Sequence, residues 1–196
     1  MKVIDLELTG VTPMLQHRMS DETLMGLILG SKVAPKPSKA PESLRDIAEA
    51  AVYRLSNGKC AIPTEYVRQA FIGASADFRQ KSSSRKSIKG IAGAVLRPTE
   101  ECVPILGADD EPVDTFELDV RRGVNHQRGA VGVVRPRFEN WKVRMTVEVD
   151  DDLVAPAVVH DVLNAAGRKV GLGSFRVANR GFFGQFRVTK FDERSS

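Results

Sequence analysis

The groups best suited to chemistry lie near the C-terminal end of this chain. Between Gly167 and Phe186, five glycines (Gly167, Gly171, Gly173, Gly181, Gly184) are interleaved with four cations (Arg168, Lys169, Arg176, Arg180) and with Phe175, Phe182 and Phe183. Glycine lets a backbone take positive φ and approach a ligand closely, and its N–H can point at a phosphate oxygen. The cations supply counter-charge, and the rings offer faces on which bases stack. Two nucleotide-binding devices are excluded by order. Gly171 and Gly173 follow a predicted helix and precede a predicted strand, the reverse of the dinucleotide fingerprint. No Gly-Lys-Ser/Thr stands ahead of a helix, as a Walker A loop requires. The chemistry that fits is contact with a polyanion's backbone. Arg168, Lys169, Gly171, Gly173, Arg176, Arg180 and Gly181 are the expected contacts.

The remaining charge is segregated along the chain. Arg79 to Arg97 holds six cations (Arg79, Lys81, Arg85, Lys86, Lys89, Arg97) and no acid. Glu100 to Asp119 holds eight acids (Glu100, Glu101, Asp109, Asp110, Glu111, Asp114, Glu117, Asp119) and no cation. Arg121 to Arg144 is basic again, with Glu139 its single acid. Such runs are often solvated surface, but two basic runs flanking an acidic one predict faces of opposite potential. The basic faces would attract a polyanion. Arg79, Lys81, Arg85, Lys86 and Lys89 form one expected arm. Arg121, Arg122, His126 and Arg128 form a second, whose polar, Gly-containing loop suits phosphate or base edges.

Catalytic candidates are few. His17, beside Arg18 just after the first strand, could move a proton while Arg18 stabilises a phosphorane, but the favoured reading is that it binds a phosphate or caps a turn without chemistry. His160 falls on a helix as a structural residue. Asp150-Asp151-Asp152 precede a predicted helix, whose positive end accounts for them without a metal. Cys60 and Cys102 cannot form a disulfide framework or a zinc site. No metal or cofactor is expected.

These residues need elements to position them. The chain has 196 residues, 42% hydrophobic and 28% charged, with net charge +4 and pI about 9.2. That is an ordinary globular composition. Leu24 to Leu29 is too short to span a bilayer, and the N-terminus lacks a signal pattern, so a cytoplasmic protein without membrane contact is expected. Period-two alternation predicts strands over Val3–Gly10, Thr115–Val120 and Phe138–Val149, with others over Glu101–Leu106 and Phe182–Phe191. Trp141, Val143, Met145, Val147 and Val149 share one face of the longest. Helical spacing predicts Asp21–Leu29, Glu42–Leu55, a helix from Pro63-Thr64 burying Val67, Ala70, Phe71 and Ala74, and Pro156–Ala166 with Gly167 as its C′ residue. Ser31–Pro41 reads as a linker, Arg79–Lys89 as an exposed flexible loop, and 121–130 as a loop. The order matches an α+β, ferredoxin-like (RRM-like) βαββαβ core: an antiparallel sheet with helices on one face. It would form one domain over 1–196, with long insertions around 19–60 and 79–135.

A core ending in helix, glycine-rich loop and strand resembles the RAMP superfamily, the repeat-associated proteins of CRISPR effector complexes. Gly171-Leu172-Gly173 followed by Arg180-Gly181-Phe182-Phe183-Gly184 is similar to its C-terminal motif. Val3 to Arg18 resembles the first strand of the backbone-subunit branch, and Ala61-Ile62-Pro63-Thr64 through Ala70 its extended-Pro-helix element. Similar small proteins occur in phages and mobile elements. The resemblance implies binding along a single strand through its backbone in a head-to-tail filament, and with so few catalytic candidates the expected protein is a non-catalytic binder of single-stranded RNA or DNA, assembled as a homo-oligomer or filament. The alternatives are a metal-independent endoribonuclease using His17 and a structural assembly protein of a phage or mobile element.

Overall fold

The computed structural model describes residues 1–30, 43–124 and 129–194. In chain order its elements are β1 (Lys2–Gly10), β2 (Met14–Leu15), α1 (Asp21–Ile28), α2 (Leu44–Ala50), β3 (Tyr53–Arg54), β4 (Cys60–Pro63), α3 (Glu65–Ala74), β5 (Arg79–Gln80), β6 (Ser83–Ser87), α4 (Ala92–Val95), β7 (Leu96–Pro98), β8 (Cys102–Leu106), β9 (Glu117–Val124), β10 (Ala130–Phe138), β11 (Lys142–Val149), α5 (Pro156–Lys169) and β12 (Phe186–Glu193). The Ser31–Pro41 linker, His126 and Arg128 lie outside the described residues.

The large sheet runs β12–β1–β11–β8–β4–β3, with β7 also on β11, and its pairs are antiparallel. Traced through β1, α3, β7–β8, β11, α5 and β12, this is the ferredoxin-like βαββαβ order expected, with α3 and α5 packed on one another. Alternation dictates which face they cover. Ile4, Leu6 and Leu8 of β1, and Val143, Met145, Val147 and Val149 of β11, are buried in one cluster with Val67, Ala70 and Phe71 of α3 and Val159, Val162 and Leu163 of α5. Among the described residues no helix is long and apolar enough to cross a membrane.

Several elements differ from their expectation. α5 continues past Gly167 to Val170, its C-cap. A Cβ at Gly167 would lie 1.9 Å from the Phe186 carbonyl oxygen, so glycine is required there by the close packing of the helix on β12, not by a cap. The expected Glu42–Leu55 helix ends at Ala50, and Tyr53–Arg54 pair with Cys60–Ala61 instead. The reason is Gln16: fully buried, it accepts from the Tyr53 N–H at 3.0 Å and donates to the Ala61 carbonyl at 2.7 Å. The expected Phe138–Val149 strand is two strands, broken where Asn140 takes φ of 45°. The final strand begins at Phe186, leaving Phe182–Gln185 in the loop.

Two predicted loops carry strands. Arg79–Lys89 contains the β5–β6 pair. Arg121–Val124 continue β9, which pairs with β10 and, through β10, with β2 as a second three-stranded sheet.

Candidate nucleic-acid interface

The second sheet carries the site. Leu15 pairs with Arg137, and Asp119 with Arg135, in antiparallel register. That register sets Asp119, Arg135 and His17 in a row across one face, with Arg121 beside them opposite Val133. The opposite face is apolar, with Phe116, Val134 and Phe138 buried in the core.

The glycine loop closes over the charged face. Ser174 N–H donates to the Leu15 carbonyl at 2.7 Å, so the loop extends the small sheet beyond β2. Gly173 makes this approach possible: its φ is 77°, and a Cβ there would lie 2.2 Å from the Leu15 carbonyl oxygen. The loop's amides mostly serve the loop itself. Gly171 N–H donates to Ala166 O at 2.9 Å and Gly181 N–H to Arg176 O at 3.0 Å. The groups it presents are therefore its side chains. Phe182 stacks on Phe183 with centroids 4.2 Å apart, and Phe175 lies 6.1 Å from Phe183. The Arg121 guanidinium sits 4.8 Å from the Phe183 centroid, and that of Arg135 5.9 Å from Phe175.

The charge in this cleft is unbalanced. Arg121 Nε donates to Asp119 Oδ1 at 2.6 Å, and Asp119 is only 4% exposed. Arg135 stands opposite Asp119 in the strand register. Burial pushes its guanidinium below the usual range, Asp119 opposes that, and Arg121 adds to it. Arg135 Nε and Asp119 Oδ2 are buried without a hydrogen-bond partner among the described residues. Two guanidiniums thus face one carboxylate that pairs with Arg121, and a buried donor on Arg135 is left unused along with one carboxylate oxygen, a costly arrangement. Partial burial, and then Arg135, push His17 at the rim below its ordinary value.

The structure brings together His17, Arg121, the Arg176–Gly181 loop and its rings. Arg176 donates to Gly173 O at 3.1 Å from inside the loop, and Arg180 is exposed at its tip with φ of 61°. Other expected contacts are engaged elsewhere. Arg18 pairs with Asp21 at 2.5 Å and Lys169 with Asp77 at 2.7 Å. Arg168 is exposed at the end of α5, and Arg122 is exposed on β9. The arm carrying Arg79, Lys81, Arg85, Lys86 and Lys89 is not at the cleft. Lys81 donates from its backbone to Leu153 O at 3.2 Å and from its ammonium to Asp151 O at 3.1 Å. Asp151 in turn pairs with the Met1 ammonium at the start of β1. The cleft lies beyond the other end of that strand, roughly 30 Å away at about 3.3 Å per residue.

Sequence reasoning placed Asp119 among surface acids and singled out neither it nor Arg135. Alternation sets both at the polar positions of their strands, on the opposite face from Phe116, Val134 and Phe138, so no local pattern marked them. His160 packs edge-on against Phe191 at 5.3 Å, as a structural residue would. Asp150 accepts from the Asp152 and Leu153 N–H groups, forming the turn ahead of α5. Burial pushes both the Cys60 and Cys102 thiols up.

No protein-family model matches this chain, and no curated protein matches it. A solved structure does. The chain is similar to one in the cryo-EM structure of the Type III-B Cmr-beta complex bound to cognate target RNA, with TM-score 0.52 and 15% identity over 98% of this chain. The two share a fold. This chain spans 60% of that chain's length.

Proposed function

We propose that this chain is a non-catalytic, single-stranded nucleic-acid-binding protein. It grips the phosphate backbone of an RNA or DNA strand in the cleft between β9–β10 and the glycine loop. On this reading residues 1–196 form one RAMP-like domain, with insertions around 19–60 and 79–135. Copies lie head to tail along the strand, as in CRISPR effector complexes. The observation that carries the reading is an excess of cations over acids: Asp119 pairs with Arg121, and Arg135, opposite Asp119 in the strand register, has its Nε buried without a partner among the described residues. A phosphate oxygen supplies the missing acceptor and the missing negative charge. The fold likeness to a chain from an RNA-bound complex supports the same reading.

The test is a polarisation titration of a labelled single strand, RNA and DNA in turn, across a salt series. The slope of log affinity against log salt counts the phosphates neutralised, at about 0.7 per contact for single strands. Arg121→Gln with Arg135→Gln is expected to weaken binding by about 100-fold at low salt and to flatten the slope by about 1.4. Unchanged slope and affinity in a variant that melts normally would remove the cleft from the binding site.

One observation favours a second reading, metal-independent RNA cleavage. The register that puts His17 in the row of Arg135 would let it act as a base next to a cation that stabilises phosphorane charge. Equal cleavage of labelled RNA by wild type and His17→Ala would dismiss it.

A further inference from the structure

We infer that Phe182 is a stacking platform for one unpaired nucleobase, so that the cleft takes a base as well as phosphates. This rests on the reading of the cleft as a strand-binding site. Phe182 is 54% exposed, whereas Phe183, one residue on, is fully buried. The two rings are inclined by only 27° with centroids 4.2 Å apart, so Phe183 covers one face of Phe182, the Arg121 guanidinium lies 5.9 Å from its centroid, and the residue remains more than half exposed. Phe183 is itself held from further sides by Phe175 at 6.1 Å and the Arg121 guanidinium at 4.8 Å. Arg121 is anchored in turn by the buried Asp119. The exposed ring is therefore the outermost layer of a stack whose lower layers are fixed, and little conformational entropy is lost when a second flat group settles on it.

The chemistry around the ring selects the occupant. An apolar side chain from a partner protein would bring no charge to Arg121 beside Phe182 or to the unpartnered Arg135 Nε. A nucleotide brings both parts: a π-face for the ring and a phosphate for Arg121 and Arg135. Every base has such a face, so the platform tolerates any sequence.

The experiment compares the affinity of a short RNA strand with that of the same strand built from abasic ribose spacers, which keeps the phosphates and deletes the bases. Wild type is expected to prefer the base-bearing strand by about tenfold, the scale of one aromatic–base stack. Phe182→Ala is expected to lose most of that preference while binding the abasic strand as wild type does, with the same salt slope. Phe182→Trp should keep the preference, and its new indole emission should be quenched by the base-bearing strand alone. A Phe182→Ala protein that retains the full preference would overturn the platform and leave backbone binding standing. Salt-independent or undetectable binding of both strands by wild type would overturn the strand-binding reading, and the platform with it.

Discussion

On the open face of the large sheet, Arg144 stands between Glu7 at 2.6 Å and Asp110 at 2.9 Å, Lys142 also reaches Asp110, and Arg194 reaches Asp5 at 2.7 Å. In the cleft of the small sheet, Arg121 pairs with Asp119, while Arg135 stands opposite the same residue with its Nε unpartnered among the described residues. The first surface is the one an RRM-like fold commonly offers to a single strand, through exposed aromatics. Here the described residues of β1 and β11 present Asp5, Glu7, Thr9, Lys142, Arg144, Thr146 and Glu148 on that face instead. Its cations and acids neutralise one another, and the carboxylates of Asp5, Glu7 and Asp110 are held below their usual range by hydrogen bonds from those cations. A strand arriving there would have to displace bonds already made. In the cleft it would complete bonds that are missing. The same residue type is thus a strap in one place and an open donor in the other, and the ratio of acids to cations decides which.

Gly173→Val breaks the comparison most severely. The added Cβ meets the Leu15 carbonyl at a positive-φ position. Strain of about 1–3 kcal/mol from the dihedral alone should lower Tm by several degrees. It should also detach the loop, with a loss of strand affinity of at least about tenfold. Calorimetry and titration together check it. Normal binding by this variant would show that the loop is dispensable.

A smaller effect comes from His17. A bound phosphate would raise its pKa from the depressed free-state value, so binding takes up a proton. Affinity should then rise as pH falls from about 7.5 to about 5.5 and level off below the free-state pKa, gaining about tenfold where the phosphate raises that pKa by about one. In His17→Gln the profile should be flat. The sign for folding is opposite: the folded ring protonates less readily than the unfolded one, so acid costs stability as pH drops through and below 6.5. A pH profile shared by wild type and His17→Gln would remove the imidazole from the interface.

The smallest effect sharpens the contrast. Lys142→Gln with Arg144→Gln removes two formal charges, as many as the cleft double variant. It should nonetheless change strand affinity by less than about twofold, because those charges are already neutralised, and exposed ion pairs contribute only about 0.2–1 kcal/mol each to folding. A loss matching that of Arg121→Gln with Arg135→Gln would mean that total charge, not its balance, governs binding.

Alternation and helical spacing were enough to read the βαββαβ core, because each core strand and helix buries a stripe of its own sequence: Ile4, Leu6 and Leu8, or Val159, Val162 and Leu163. The glycine-rich loop with its arginines and phenylalanines was equally visible, since it is contiguous. What local pattern could not supply was the partner of each charge. Arg135 meets Asp119 only through the register of β9 on β10, and His17 joins them only because β2 pairs with Arg137 and Phe138. The basic run from Arg79 looked no different from the run at Arg121, yet backbone bonds to Leu153 carry it to the far end of β1. Composition set how many cations the chain has. Strand register, a long-range property that no window of sequence contains, decided which of them remain unneutralised.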